Sequence, residues 1–340
     1  MKSKVAVVIL NWNGKKFLAD FLPSLINSIP SYSCIYVADN KSSDNSVDYV
    51  KSTFPSINII INDDNYGFAG GYNVALNQIE AEYFVLLNSD IEVANNWIEP
   101  IINFMDSNPN VGACQPKILS YFEKDKFEYA GASGGYIDKL GYPFCRGRIF
   151  QSLETDNNQY NEPIEIFWAT GACLFVRAEL YKKLGGLDAD FFAHMEEIDF
   201  CWRLANKGHK IYCIPESKIY HVGGGTLPKS NSRKTYLNFR NNLFLLYKNI
   251  PNNRFYSVFF SRLVLDKIAA IKFFIDGDIK DGLAVFKAYF SFIKSISSLR
   301  KKRKVINPQF FKNVYNGSIV KEHYIGKINN FNELKNNWLK

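Results

Sequence analysis

Short apolar runs alternate with amphipathic stretches along the first two-thirds of the chain. VAVVIL (residues 5–10) is a β-branched run that predicts a buried first strand. Helical spacing follows through Phe17, Leu18, Phe21, Leu22, Leu25 and Ile26, and Pro23 inside that pattern predicts a kink or a break. CIYVADN (34–40) predicts a second strand. Ser42, Ser43 or Asp44 then offers helix N-cap chemistry, and INIIIN (57–62) predicts a third strand. Strand, helix, strand, helix, strand implies a parallel sheet with right-handed crossovers. Gly67, Gly70 and Gly71 precede a further helical stretch. YFVLLNSDIEV (83–93) is an apolar strand running into Asn88-Ser89-Asp90, followed by a helix over 95–105 and a strand over 111–119.

The pattern loosens over 120–165, where glycines among aromatics suggest hairpins or a loop over the site. FWATGACLFVRAELYKKLGGLD (167–188) gives a strand near 172–177 and a short helix stopped by Gly185-Gly186. Residues 191–208 begin as a loop and become a helix. Residues 210–226 read as a strand, a turn at Pro215, and a second strand ending at His221. Beyond Thr226 the pattern is helical over 235–249, 255–275 and 282–299, closed by RKKRK (300–304). Lys280, Lys287 and Lys294 recur every seven residues, a stripe expected opposite Phe286, Phe290, Ile293 and Ile296.

Composition adds a core and a charge division. The 340 residues are 47% apolar and 16% aromatic, enough for a large domain plus an appendage. No run of 18 uncharged apolar residues occurs, so no transmembrane helix is expected, and the first residues lack a signal-peptide pattern, which places the protein in the cytoplasm. Six cysteines without a C-x-x-C pair argue against zinc and against a disulfide framework. The net charge of +8 hides two halves: residues 1–227 carry 19 Lys+Arg and 27 Asp+Glu, residues 228–340 carry 22 and 6. A basic tail on an acidic body suggests a polyanionic partner. Basic amphipathic helices with a terminal charge cluster suit an anionic bilayer surface; the other reading is a helical pair packed on the body with a solvated charge run.

Candidate chemistry sits at strand ends. A buried strand delivers its last side chains to one edge of the sheet, where ligands of open α/β sheets bind. A carboxylate there, such as Asp90, can hold a divalent metal against phosphate oxygens, although Asn-Ser-Asp by itself also reads as a polar turn. Gly67, Gly70 and Gly71 allow either a close approach of backbone to phosphate or tight packing of the helix on the sheet. Their spacing is not G-x-G-x-x-G, so a dinucleotide fingerprint is absent. Glu196, Glu197, Asp199 and Arg203 are candidates for site or helix-surface roles.

Seven stretches occur in one order: VVILNWNG, VADNKSSDNS, NYGFAGGYN, LLNSDIEV, FWATGACLFVRAEL, HMEEIDFCWRL and IYHVGGGT. Together they resemble the family 2 glycosyltransferases of the GT-A superfamily, most of all the bacterial rhamnosyltransferase-like branch, over about residues 4–250. The resemblance implies an α/β fold, a GT-A (Rossmann-like) mixed, mostly parallel sheet flanked by helices over residues 1–250, with a C-terminal amphipathic, basic helical extension over 251–340. It implies a nucleotide-sugar pocket lined by Asn11, Trp12, Asn13, Asp39, Asn40, Gly70, Gly71, Asn73, Asn88, Ser89 and Asp90, with Asp39 accepting a hydrogen bond from the base. Asp90 and His221 would hold Mg2+ or Mn2+. Glu197 would be the general base, or Glu196 in its place, because the family's usual Glu-Asp pair is Glu-Glu here. Trp168, Thr170 and Gly171 would shape the acceptor site, and Arg240 could approach the diphosphate. Asp199 is read as structural.

The function so implied is inverting sugar transfer from a nucleotide diphosphate donor, dTDP-rhamnose or a UDP-sugar, to a glycan or lipid-linked saccharide, by a peripheral protein on the inner face of the membrane. A non-catalytic nucleotide-sugar-binding homologue is the alternative. VILNWNGKK is a poor match for a nucleotidyltransferase phosphate loop. The acidic body and the lack of a recognised binding motif weigh against a nucleic-acid binder.

Overall fold

The computed structural model describes residues 3–223, 231–303, 313–334 and 338; Gly224, Gly225 and Lys304, which belong to motifs noted above, lie outside them. The apolar runs form the centre of a nine-stranded sheet. Its strands are β1 (Ser3–Asn11), β2 (Ser33–Asp39), β3 (Asn58–Ile61), β4 (Ala81–Asn88), β5 (Ile91–Val93), β6 (Val111–Ser120), β11 (Ile164–Glu165), β12 (Cys173–Arg177) and β13 (Lys210–His221). The order is β11-β13-β6-β12-β4-β1-β2-β3, with β5 paired to β13. β1, β2, β3 and β4 run parallel, β6 and β13 are parallel to each other, and β12 is antiparallel to both β4 and β6. The sheet is therefore mixed and mostly parallel, and its strands are apolar on both faces because both faces are covered. Ala6 and Val8 of β1 enter one core, Val5, Val7 and Ile9 the other, and β4 alternates in the same way.

Helices α1 (Lys15–Asn27), α2 (Ser46–Thr53) and α3 (Gly67–Leu76) link the first four strands, and α4 (Glu99–Ser107) leads into β6. Pro23 neither breaks nor ends α1. It lies on the exposed side, where water can serve the carbonyl that loses its amide partner. The glycines expected before α3 lie within it: a Cβ on Gly71 would stand 2.9 Å from Leu10 Cδ1, and one on Gly70 2.9 Å from Tyr66 Cβ. Gly71 thus lets the helix pack closely on β1, and Gly70 leaves room for Tyr66.

The irregular stretch builds a second, five-stranded sheet of β7 (Gly135–Asp138), β8 (Pro143–Cys145), β9 (Arg148–Ile149), β10 (Ser152–Leu153) and β14 (Val314–Tyr315), ordered β10-β9-β8-β7-β14. The expected turn at Pro215 is instead a register shift inside one continuous β13, between Ile214 and Lys218. α5 (Ala178–Lys183) ends before Gly185 and Gly186, as expected, both with positive φ. α6 (Glu196–Ala205), α7 (Ser232–Asn249), α8 (Asn252–Ile275), α9 (Ile279–Lys302) and α10 (Ile319–Tyr324) complete the chain. α9 corrects the lysine stripe: Lys294 Nζ lies 4.4 Å from the Phe290 ring centre, because residues four apart share a helix face. The basic and apolar positions are side by side, not opposed.

Candidate functional site

Parallel strands end together, so the expected residues converge on one edge of the large sheet. Asn11 and Asp39 are register partners at the ends of β1 and β2. Asn11 Nδ2 donates to Asp39 Oδ1 (2.9 Å) and to Ser46 Oγ (2.9 Å), and the Ser42 amide donates to Asp39 Oδ2 (2.9 Å). Asp39 therefore organises the loop after β2, and each of its oxygens has one partner here and room for a second. The buried Asn11 Oδ1 has no partner. Asn13, at φ 53°, caps the facing loop through the Ser43 amide (2.7 Å), which leaves Trp12 between them 50% exposed. Asn40 is spent on structure. Its amide donates to Asn65 Oδ1 (2.9 Å) and the Gly67 carbonyl (3.0 Å), and its oxygen accepts from Asn62 (3.1 Å). Asn73 likewise ties α3 to the Leu187 backbone, donating to its carbonyl at 2.7 Å and accepting from its amide at 3.0 Å.

Asn88 ends β4 and Ser89-Asp90 turn into β5, whose register brings Ile91 opposite His221 at the end of β13. Asp90 Oδ1 stands 3.2 Å from His221 Nε2, and the Asp90 carbonyl accepts from the Val222 amide at 3.0 Å. On the other ring nitrogen, Nδ1, Glu128 Oε2 lies at 3.0 Å. Gly223, at φ 73°, leaves space for Glu128: a Cβ there would lie 2.7 Å from its Oε1. Burial alone would depress His221, but the two carboxylates override it and raise the imidazole to about 10. Burial likewise opposes ionisation of Glu128, and His221 outweighs it, so that the carboxyl lies below its ordinary range.

Once a cation displaces the His221 proton, the Asp90 oxygen and the imidazole nitrogen would suit a divalent ion of the Mg2+ or Mn2+ kind, with Glu128 fixing the ring from behind. Among the described residues no group of three or more His, Cys, Asp or Glu could hold an ion on its own. A cation here would take its remaining ligands from phosphate oxygens and water, as Mg2+ commonly does.

The segment expected to face an acceptor lies beside this turn. The Asn88 amide donates to the Ala172 carbonyl (2.9 Å), placing Gly171 and Thr170 next to the end of β4. Thr170 is buried and fixed through its amide to Gln115 Oε1 (3.1 Å). Trp168 is buried too. Its indole N–H donates to the Tyr136 carbonyl (2.9 Å) and its ring covers Gly135, so it supports the segment from within the core. Gly171 faces α6: a Cβ on it would lie 3.7 Å from Glu197 Cβ.

Glu196 and Glu197 open α6. Each has one carboxylate oxygen shut from solvent without a hydrogen-bond partner. Burial raises the Glu197 carboxyl to about 7, and burial together with Glu197 pushes Glu196 well above its usual value. Asp199, one turn further on, behaves oppositely. Burial would raise it, but Lys248 (2.8 Å) and Arg203 (2.8 Å) override that and hold it near 2, which gives it a structural part.

The approach to α6 is a strained segment that sequence reading missed. Phe192, His194 and Met195 all have positive φ (65°, 71° and 73°). Asn241 of α7 holds them, its side-chain amide within 2.7–2.9 Å of the Phe191, Ala193 and His194 carbonyls. Arg240 donates to the Asp190 and Phe191 carbonyls (3.0 and 2.9 Å), so it braces this loop instead of pointing at a diphosphate. His194 is lowered to about 4 by burial and by Lys234, and its Nε2 has no partner. Glu128 was missed as well: 93 residues separate it from His221, and no spacing signals the pair.

This mixed α/β sheet, with the Asp90–His221 pair and the Glu196-Glu197 carboxyls at its carboxyl edge, shares the GT-A fold of solved glycosyltransferases. The solved structure of GalNAc-T7 with UDP, GalNAc and Mn2+ superposes with a TM-score of 0.56 at 16% identity, over 73% of this chain and 48% of that one. The mannosyltransferase PcManGT from Pyrobaculum calidifontis, with GDP-Man and Mn2+, gives 0.51 at 14% identity over 88% and 76%. Residues 6–185 match the model of glycosyl transferase family 2, and the chain belongs to that family and is a hexosyltransferase. Its relatives include the N-acetylglucosaminyl-diphospho-decaprenol L-rhamnosyltransferase of Mycobacterium tuberculosis, 22% identical over 65% of this chain and 76% of that protein. Another is the low-salt glycan biosynthesis hexosyltransferase Agl10 of Haloferax volcanii, 24% identical over 71% and 75%.

Proposed function

We propose that this enzyme transfers a sugar, with inversion, from a nucleotide diphosphate donor to a hydroxyl of a glycan or lipid-linked saccharide in surface polysaccharide synthesis. The observation that carries this reading is the meeting of Asp90 with His221 on the sheet edge that also holds Gly171 and Glu197. Asp90 and His221 would hold Mg2+ or Mn2+, which would offset the charge gathering on the leaving diphosphate. Asn11, Asn13 and Asp39 fix the loops around the base, with Asp39 accepting from a ring N–H and exposed Trp12 free to lie against a planar ring. Gly70, Gly71 and Asn73 set the distance of α3 from the donor. Glu197, near neutrality in its proton affinity, takes the acceptor proton as the hydroxyl attacks. Direct displacement needs no covalent intermediate, so no nucleophilic side chain is required.

The mycobacterial relative, a rhamnosyltransferase acting on a diphospho-decaprenol saccharide, supports rhamnose as the sugar and a lipid-linked acceptor; dTDP-rhamnose is our leading donor, with UDP-sugars next, used at the inner face of the membrane. No helix among the described residues is long and apolar enough to cross a membrane. A thermal-shift screen of nucleotide sugars tests the reading, since a ligand selective for the folded state raises the melting temperature. One dTDP- or UDP-sugar is expected to raise it only with Mg2+ or Mn2+ present, and Asp90→Asn is expected to abolish that metal dependence. A shift from every nucleotide alike, with or without metal, would contradict it.

A further inference from the structure

α8 and α9 form an antiparallel hairpin. Its inner side is fastened to the body by Arg262, which is paired with Asp266 (3.3 Å), lies over the Tyr142 ring (3.7 Å) and donates to Asn242 of α7. Tyr142 and Tyr289 both donate to Asp266, at 3.0 and 2.8 Å. The outer side is therefore held at a fixed tilt and cannot fold back to hide itself.

That outer side is apolar over both helices. Phe260, Ile268 and Ile271 of α8, and Leu283, Phe290 and Ile293 of α9, are each 56–59% exposed. Water-facing helices rarely carry such a continuous surface without something to cover it. Exposed lysines interleave with it: Lys267, Lys272, Lys280, Lys287, Lys294 and Lys301. The exposed carboxylates of the hairpin, Asp276 and Asp278, are confined to its turn, and Asp276 is paired with Lys272. Lysine is depleted from the cores of protein–protein interfaces, but its long stem lets it lie among apolar neighbours while its ammonium reaches a phosphate plane.

We propose that the outer face of the α8–α9 hairpin is a membrane-binding surface that lies in the interface of an anionic bilayer, apolar side chains among the acyl chains and lysines on lipid phosphates. The first turns of α7 connect this face to the transfer site. Arg233 lies 5.2 Å from the Phe192 ring centre and Lys234 6.0 Å from that of Tyr129, while Thr235 bonds Asp281 and Tyr236 donates to Ser291 of α9 (3.0 Å). α9 and α7, each roughly 10 Å across, thus lie between the lipid surface and these loops, so the hairpin would hold the site about two helix widths from the bilayer that carries a lipid-linked acceptor. The surface deepens the lipid-linked part of the functional reading and is tested apart from the sugar chemistry.

The test is flotation of the full chain with phosphatidylcholine vesicles, with and without a third of phosphatidylglycerol, with no donor present. The wild type is expected to float with the anionic vesicles only. Lys287→Gln and Lys294→Gln should each weaken binding roughly fivefold. Ile268→Glu with Phe290→Glu should weaken it more than tenfold, while the melting temperature and donor-induced thermal shift stay unchanged. If the glutamate variant fails to fold, the glutamine variants decide. Equal flotation with neutral vesicles, no flotation at all, or binding that survives these substitutions would overturn the proposal. So would a dimer in light scattering that Phe290→Glu dissociates while vesicles remain unbound, which would give the face to a second copy of the chain.

Discussion

Glu197 and His221 lie at one sheet edge and both hold a proton more tightly than usual, Glu197 through burial and His221 because Asp90 and Glu128 override burial. Burial leaves Glu197 half-protonated near pH 7, so a base at this position predicts turnover that rises with pH through about 7 and then levels. A flat profile across that range, measured with saturating donor, would remove Glu197 from the reaction. The same shift has a stability consequence. The folded carboxyl binds its proton more tightly than the ordinary value of 4.5, so its favourable contribution is full below that value and is lost as pH rises through about 7. Glu197→Gln should therefore melt above the wild type at mildly alkaline pH, with the gap closing as pH falls to about 4.5. Glu128 acts one step further back. Its bond to His221 Nδ1 fixes which ring nitrogen faces Asp90, and Glu128→Gln should weaken Mn2+ binding by roughly 10–100-fold, read by titration of the metal without donor. Unchanged affinity would show that the ring needs no such support. Sequence pattern exposed Asp90, Asp39 and the Glu196-Glu197 pair because each sits where an element starts or stops. It could not expose Glu128, whose meaning arises only when β6, β13 and the loop after β6 are brought together.

The α6 start depends on neighbouring elements more than on its own sequence. Three carbonyl contacts from Asn241, to Phe191, Ala193 and His194, hold a segment whose backbone is strained at Phe192, His194 and Met195. Asn241→Ala should let that segment relax and move Glu197, and an ångström of displacement costs on the order of 10²-fold in turnover. Donor affinity should hold, and a variant that lost both equally would point to general unfolding. Gly67 meets the same loop from the other side. At φ 69°, with the Phe192 carbonyl 2.8 Å from any added Cβ, it accepts no side chain, so Gly67→Ala should lower the melting temperature clearly. The main strands of the large sheet (β1 to β4, β6 and β12), the short α5 and the order of the first crossovers were legible from apolar runs and helical spacing, whereas the second sheet was not. What misled was local punctuation. Pro23 and Pro215 look like breaks in one dimension, but an exposed helix side and a register shift absorb them. Gly70 and Gly71 look like a turn because glycine's two uses, conformational freedom and close approach, are identical in sequence.

Across the whole molecule, the charge division was visible in the sequence but its geometry was not. In sequence the extension reads either as a membrane-seeking tail or as a helical pair packed on the body; its helices do pack on α7 and on Tyr142 beside the second sheet, and β14 adds a strand beside β7. Arg262 and Asp266 are the buried join, and Asp266→Ala, which strands the guanidinium, should cost about 3–5 kcal/mol in a denaturant titration. Loss of less than a tenth of that would mean the hairpin is loosely attached and free to tilt. The central claim is that side chains from separate strands grip a cation-bridged diphosphate while Glu197 draws the proton from an alcohol. The most direct test compares Glu197→Gln with the wild type in single-turnover transfer and in metal-dependent donor binding, side by side. The account predicts a loss of roughly 10²–10⁴-fold in the rate of transfer with donor affinity unchanged. Near-normal transfer by the variant would contradict it.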